Sequence, residues 1–174
     1  VYDYPYLSSS ANHIFDISVG YDESSVLSAS AVAGTGVQIA KKINMYNEYA
    51  QVLLGFTGSN NTVEIFESDL SFIDNDAQIK ESFFVNFSRL LTKDQVKKGS
   101  FSITVSSGSW GSGTPGNAVF DSGLITLTDA SASEGTNAGV KNTLGGDYGV
   151  LYTSGNTAHG IVFYQAGCVI LSSS

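Results

Sequence analysis

One cysteine in 174 residues, Cys168, excludes an internal disulfide framework, and with it the small secreted domains that are stapled rather than packed. Its neighbours Val169, Ile170 and Leu171 make it read as a small core residue. Cations are scarce too: eight Lys and Arg stand against sixteen Asp and Glu, a net charge of −8. Phosphate backbones are bound by clustered cations that displace counterions, so single scattered ones argue against nucleic acid as a partner and equally against an anionic membrane surface. No apolar run approaches the roughly 20 residues that cross a bilayer, which predicts a soluble chain. The opening VYDYPYLSSS has neither the basic start nor the apolar stretch of a signal peptide. A first residue other than Met points to processing or to a piece of a longer chain.

What is present suits packing. The sequence is 42% hydrophobic and 11% aromatic, enough for one continuous core without metal, so a single domain over 1–174 is expected, with 1–12 as an extended N-terminal arm. Charged residues reach only 14%, against about 25% in an average soluble domain. Ser, Thr, Asn and 19 glycines replace them. Such a neutral, turn-rich surface fits a domain packed among neighbours.

Ile14–Val19 alternates, with Phe15, Ile17 and Val19 as the face to be buried and Gly20 as the break after it. Residues 22–36 read as a loop. Over 37–54, Ile39, Ile43, Tyr46, Ala50 and Leu53 recur at helical spacing opposite Lys41, Lys42, Asn44, Asn47, Glu48 and Gln51, and Gly55 sits where a left-handed cap belongs. Further strands are expected at 62–66, 82–91, 101–105, 124–127, 148–152, 161–164 and 168–171, with a capped helical turn from Thr92 to Gly99 and Ser/Gly-rich loops at 106–117 and 130–146. Turn signals every ten to fifteen residues favour a mainly β fold. That fold is an antiparallel β-sandwich or open barrel, with the one main amphipathic helix packed on the sheet.

Catalytic, cofactor and metal sites are each expected to be absent. A nucleophile needs a base and an orienting group, and the bases are His13, before the first strand, and His159, in a turn between two late strands. Cys168 near His159 sits in an apolar strand, where a thiol stays protonated. Asp69, Asp74, Asp76 and Glu81 cluster, but a calcium loop counted from Asp74 would need Gly where Ile79 stands and Glu where Val85 stands. The glycines at 111–116 and 144–149 neither open a helix nor carry a P-loop Lys, so turns account for them.

Several segments in series carry a resemblance: FDISVGYDESS (15–25), KKINMYNEYAQVLLG (41–55), FFVNFSRLLTKDQVKKGSFSITV (83–105), ITLTDAS (125–131), YGVLYTSG, and the terminal VILSSS. In this order they resemble a family of virion structural proteins of contractile-tailed, cyanophage-type bacteriophages. The departure lies at Asp94–Phe101, where DQVKKGSF replaces a shorter step. The resemblance implies a non-enzymatic part of the particle (tail, baseplate, neck or capsid exterior), made in the host cytoplasm. Its partners would be other virion proteins or copies of itself.

Five residues are candidates for such contacts. Tyr2, Tyr4 and Tyr6 place their rings on one side of an extended segment, either an arm on a neighbour's sheet or a first strand. Trp110, in a Ser/Gly loop, is either an interface anchor, a sugar-stacking platform, or a ring folded over the core edge. Arg89, the only arginine, either pairs with an Asp or caps a strand end. The alternative function is a β-sandwich module for glycan recognition. Other small-molecule ligands are disfavoured.

Overall fold

The computed structural model describes residues 1–3, 12–29, 36–56, 62–67, 78–89, 93–106, 123–132 and 139–173, and the statements below concern these. The β-branched and aromatic segments form the strands, as their preference for a pleated surface dictates. They are β1 (Tyr2–Asp3), β2 (Asn12–His13), β3 (Phe15–Tyr21), β4 (Glu81–Phe87), β5 (Ser102–Ser106), β6 (Leu124–Thr128), β7 (Val140–Thr143), β8 (Gly146–Tyr152), β9 (Ala158–Phe163) and β10 (Cys168–Ser172). All but the small β1–β2 ribbon belong to one antiparallel sheet in the order β3-β4-β10-β9-β8-β6-β5, with β7 also on β8. The sheet curls into a half-barrel, so the expected mainly β architecture with one main helix is the one observed.

The long helix α2 runs over Val37–Leu53, preceded by the single turn of α1, Val26–Ala29. Tyr46, Ala50 and Leu53 are its buried stripe against the convex face of the sheet. Leu54 and Gly55 both donate backbone N–H groups to the Ala50 carbonyl, and Gly55 has φ +97°, the expected left-handed cap. The β7–β8 turn satisfies another orphan carbonyl, because the Thr143 hydroxyl and the Gly145 N–H both donate to Leu53 O, at 2.6 and 2.9 Å.

Two core clusters lie on opposite faces of the sheet. On the helix side are Tyr46, Phe66, Phe84, Val150, Ile161, Phe163, Cys168 and Ile170. On the concave side are Val85, Leu127, Leu151, Val162, Tyr164, Val169 and Leu171. Full burial of each large apolar side chain stabilises by roughly 1.5–3 kcal/mol, so these clusters hold the curl. The Tyr46 hydroxyl needs partners inside its cluster. It donates to Ile79 O at 2.7 Å and accepts the Phe66 N–H at 3.1 Å, and burial raises its pKa above the ordinary phenol value.

Several expectations are corrected. Gly20 does not break its strand: β3 continues to Tyr21. A Cβ on Gly20 would stand 2.9 Å from Tyr46 N and 3.0 Å from Lys42 O, so this glycine lets the α2 backbone lie directly on β3. Ile17 belongs to the predicted buried face yet is 57% exposed, because that face looks into an open trough. Residues 62–66 form only isolated bridges, Phe56 with Val63, while Glu67 bridges Gln78. The stretch 130–146, expected to be loop, contains β7. Thr92 of the predicted capped turn falls outside the described residues. At the far end of that segment Gly99 has φ +73° in a turn closed by the Ser100 N–H on Lys97 O.

Candidate functional site

The curl of the sheet brings β3 and β4 opposite β5 and β6 and leaves a trough of about 860 Å³ between them. One wall is Phe15 and Ile17 of β3 with Phe83 and Phe87 of β4. The other is Ile103 and Val105 of β5 with Ile125 of β6, and Val85, Leu127 and Leu171 form the floor. The floor is buried, whereas Ile17 and Phe83 are 57% and 41% exposed. No described lining residue is a Lys, Arg, Asp or Glu; the polar ones are Ser102, Thr104, Ser106, Ser172, Ser173 and His159.

His159 reaches the trough through a fault in the ladder. Ala158 pairs with Tyr152 and Gly160 with Leu151, so His159 is an extra residue with no opposite number. In strict alternation it would share a face with Ile161 and Phe163, on the helix side. The bulge turns it to the concave side instead, the kind of re-aiming for which bulges are used. His159 is therefore in β9 and not in a turn, which corrects the sequence expectation. It also lies on the opposite face from Cys168, which belongs to the helix-side core. Cys168 is buried, and that burial pushes its thiol up to about 12, leaving it protonated at neutral pH.

Parts of the strand edges beside the trough have no strand partner among the described residues. The Phe101 carbonyl accepts the Asp129 N–H, and the register pairs Ser102 with Thr128 and Thr104 with Thr126. Residues 101, 103 and 105 therefore bond across to β6, while Ser102 and Thr104 turn their backbone N–H and C=O outward. On β3, Ser88 N–H bonds Ile14 O and Asp22 N–H bonds Lys80 O at the two ends of the same register, so Ile17 and Val19 face outward in the same way. No strand among the described residues pairs with the outer side of β5, nor with Ile17 and Val19 of β3.

Among the described residues, the β5–β6 wall pairs with the rest of the sheet at one position, Thr128 with Tyr152. A buried polar knot supplements it. Asp129 accepts the Gly99 N–H at 2.7 Å, the Phe101 N–H at 2.8 Å and the Tyr164 hydroxyl at 3.1 Å. Gly149 makes room for that hydroxyl, since a Cβ there would lie 2.2 Å from Tyr164 Oη. Lys98, on the same turn, pairs with Asp147 at 2.5 Å.

The residues singled out from the sequence lie elsewhere. Tyr2 is exposed on β1, its ring 5.2 Å from that of His13. Arg89 is exposed and donates to Gln165 O at 2.7 Å, tying the end of β4 to the β9–β10 turn. Tyr4, Tyr6, Trp110 and the Asp69, Asp74 and Asp76 cluster fall outside the described residues. Glu81, the remaining acid, accepts a hydrogen bond from the Ser25 hydroxyl. Among the described residues no group of His, Cys, Asp and Glu is placed to hold a metal ion, and no helix is long and apolar enough to cross a membrane.

Fold and trough together define a class: an antiparallel half-barrel that presents an apolar concave face bordered by the strands β3 and β5. The chain matches no protein-family model, no curated protein and no solved structure.

Proposed function

We propose that this chain is a non-enzymatic assembly domain of a tailed-bacteriophage virion, working through contacts with other protein subunits. The observation that carries the assembly role is the trough. Large apolar side chains such as Ile17 and Phe83 stand partly exposed in one concave patch, a pattern that marks interaction surfaces rather than scattered surface hydrophobics. The sequence resemblance supplies the virion setting. The charge-poor, hydroxyl-rich composition agrees with it, since contacts in such a surface rest on shape and hydrogen bonds. A glycan site in the trough draws less support, because its described lining has no carboxylate or carboxamide side chain to hold sugar hydroxyls.

Quantitative mass spectrometry of purified particles tests the reading. The chain is expected in fixed proportion to the major structural proteins and to remain after salt washing. Abundance in the lysate with depletion from washed particles overturns it.

A further inference from the structure

We infer that the trough receives an extended strand from a partner chain, added to the edge of β5 at Ser102 and Thr104, with apolar residues at alternate positions facing inward. This deepens the assembly reading and rests on it. The evidence is the way β5 borders the trough. A strand that offers only a face to a cavity contributes every second residue, as β3 does with Phe15 and Ile17. β5 contributes five residues in succession, Ser102 to Ser106, so its edge as well as its face lies in the trough. The outward N–H and C=O groups of Ser102 and Thr104 are thus set beside an apolar floor.

An acyl chain or other apolar small molecule would cover Ile17 and Phe83 but offer nothing to those backbone groups. An added strand meets both requirements, since its main chain pairs with β5 and alternate side chains drop onto the apolar walls. Charge narrows the occupant further. The described lining carries no ionic side chain, which favours uncharged residues at the inward positions of the strand. The chain as a whole carries −8, so the outward residues and flanks are neutral or basic.

The test uses the full chain and a short synthetic peptide alternating valine and threonine with lysine at both ends. Its control is the same peptide with glutamate ends. The expected result is saturable binding of the lysine-ended peptide, weaker binding of the control, and slowed amide hydrogen exchange at Ser102 and Thr104. Thr104→Pro removes an outward N–H that has no partner within the sheet, a substitution edge strands tolerate, and should weaken binding by about tenfold or more. Ile17→Asp, which places a charge in the wall without touching the β5 edge, should weaken it as well. Failure to protect the β5 amides, or equal binding by Thr104→Pro, overturns strand addition. So does enhanced fluorescence of 1-anilinonaphthalene-8-sulfonate, equal in wild type and Thr104→Pro, with no peptide bound. That last outcome assigns the trough to a small apolar ligand. None of these results depends on the particle assay, so strand addition can fail while the virion reading stands.

Discussion

The Tyr164 hydroxyl donates to the carboxylate of Asp129 at 3.1 Å, and both side chains are fully buried. Through Asp129 this one contact connects β9 to the turn before β5, and so to a wall of the trough whose strands, among the described residues, pair with the rest of the sheet only at Thr128 and Tyr152. Asp129→Ala leaves two backbone N–H groups and a phenol without their acceptor. An unmet buried donor costs roughly 1–3 kcal/mol and the two part-buried N–H groups less, so a loss of about 3 kcal/mol is expected in urea unfolding. Tyr164→Phe removes one hydroxyl and keeps the ring, and should cost about 1 kcal/mol.

Gly20 and Gly155 make a matched pair. Gly20→Ala pushes a methyl group against the backbone of α2 at Tyr46 N and Lys42 O, neither of which can move without shifting the helix. Overpacking of this kind costs about 1–3 kcal/mol. Gly155→Ala meets only the Thr153 hydroxyl oxygen, at 3.7 Å, and should leave the thermal midpoint nearly unchanged. Comparable losses at both sites would mean that α2 does not rest on β3 as closely as described.

The Asp147 carboxylate receives hydrogen bonds from Lys98 and Asn142, which hold its pKa below the ordinary carboxylate value. The folded state therefore binds that proton less readily than the unfolded chain does. Its contribution is complete above the usual carboxylate range and disappears as pH falls through the lowered folded value. Lys98→Met should cost about 1 kcal/mol at neutral pH, the scale of a partly exposed ion pair. The stability gap to wild type should then narrow on acidification. A gap constant from pH 7 down to pH 3 would assign the loss instead to packing of the Lys98 stem near Tyr164.

Cys168 reports on global opening. It is 3% exposed, on the helix side of a central strand, and burial pushes its thiol up to about 12. Labelling by a thiol reagent at pH 7 should be slow in the native protein and should accelerate with urea along the unfolding transition, as a group exposed only by global unfolding does. Fast labelling under native conditions would show that the β4–β10–β9 core opens locally.

The elements that depend on periodicity were readable in the sequence. The stripe Tyr46, Ala50, Leu53 predicts α2, and Gly55 predicts its cap. The alternation in FSITV and the apolar ending VIL predict β5 and β10. What was hidden depends on pairing. The ESFFVNF segment has apolar residues on both faces, which says that both are covered, but not that Phe83 faces a trough left open by the curl. His159 is adjacent to the break in a ladder whose register no local pattern reveals, so its turn toward the concave side could not be foreseen. Asp129 read as the end of a strand, because the two N–H groups it accepts lie some thirty residues earlier.

The trough itself predicts a gradient of tolerance across one continuous apolar surface. Ile17 and Val85 are paired directly across β3 and β4 and line the same trough, yet Ile17 is 57% exposed and Val85 4%. If the concave face were simply core, aspartate at either position would unfold the protein. Because the mouth is open to solvent, Ile17→Asp should change stability by only about 0.5 kcal/mol, the range of an ordinary surface substitution. Val85→Asp places an unpaired carboxylate on the buried floor, a change that costs several kcal/mol or prevents folding. Paired urea titrations decide the matter. Equal, severe losses would show that the two walls close over Ile17 in solution, and equal, small losses that the floor is as open as the mouth.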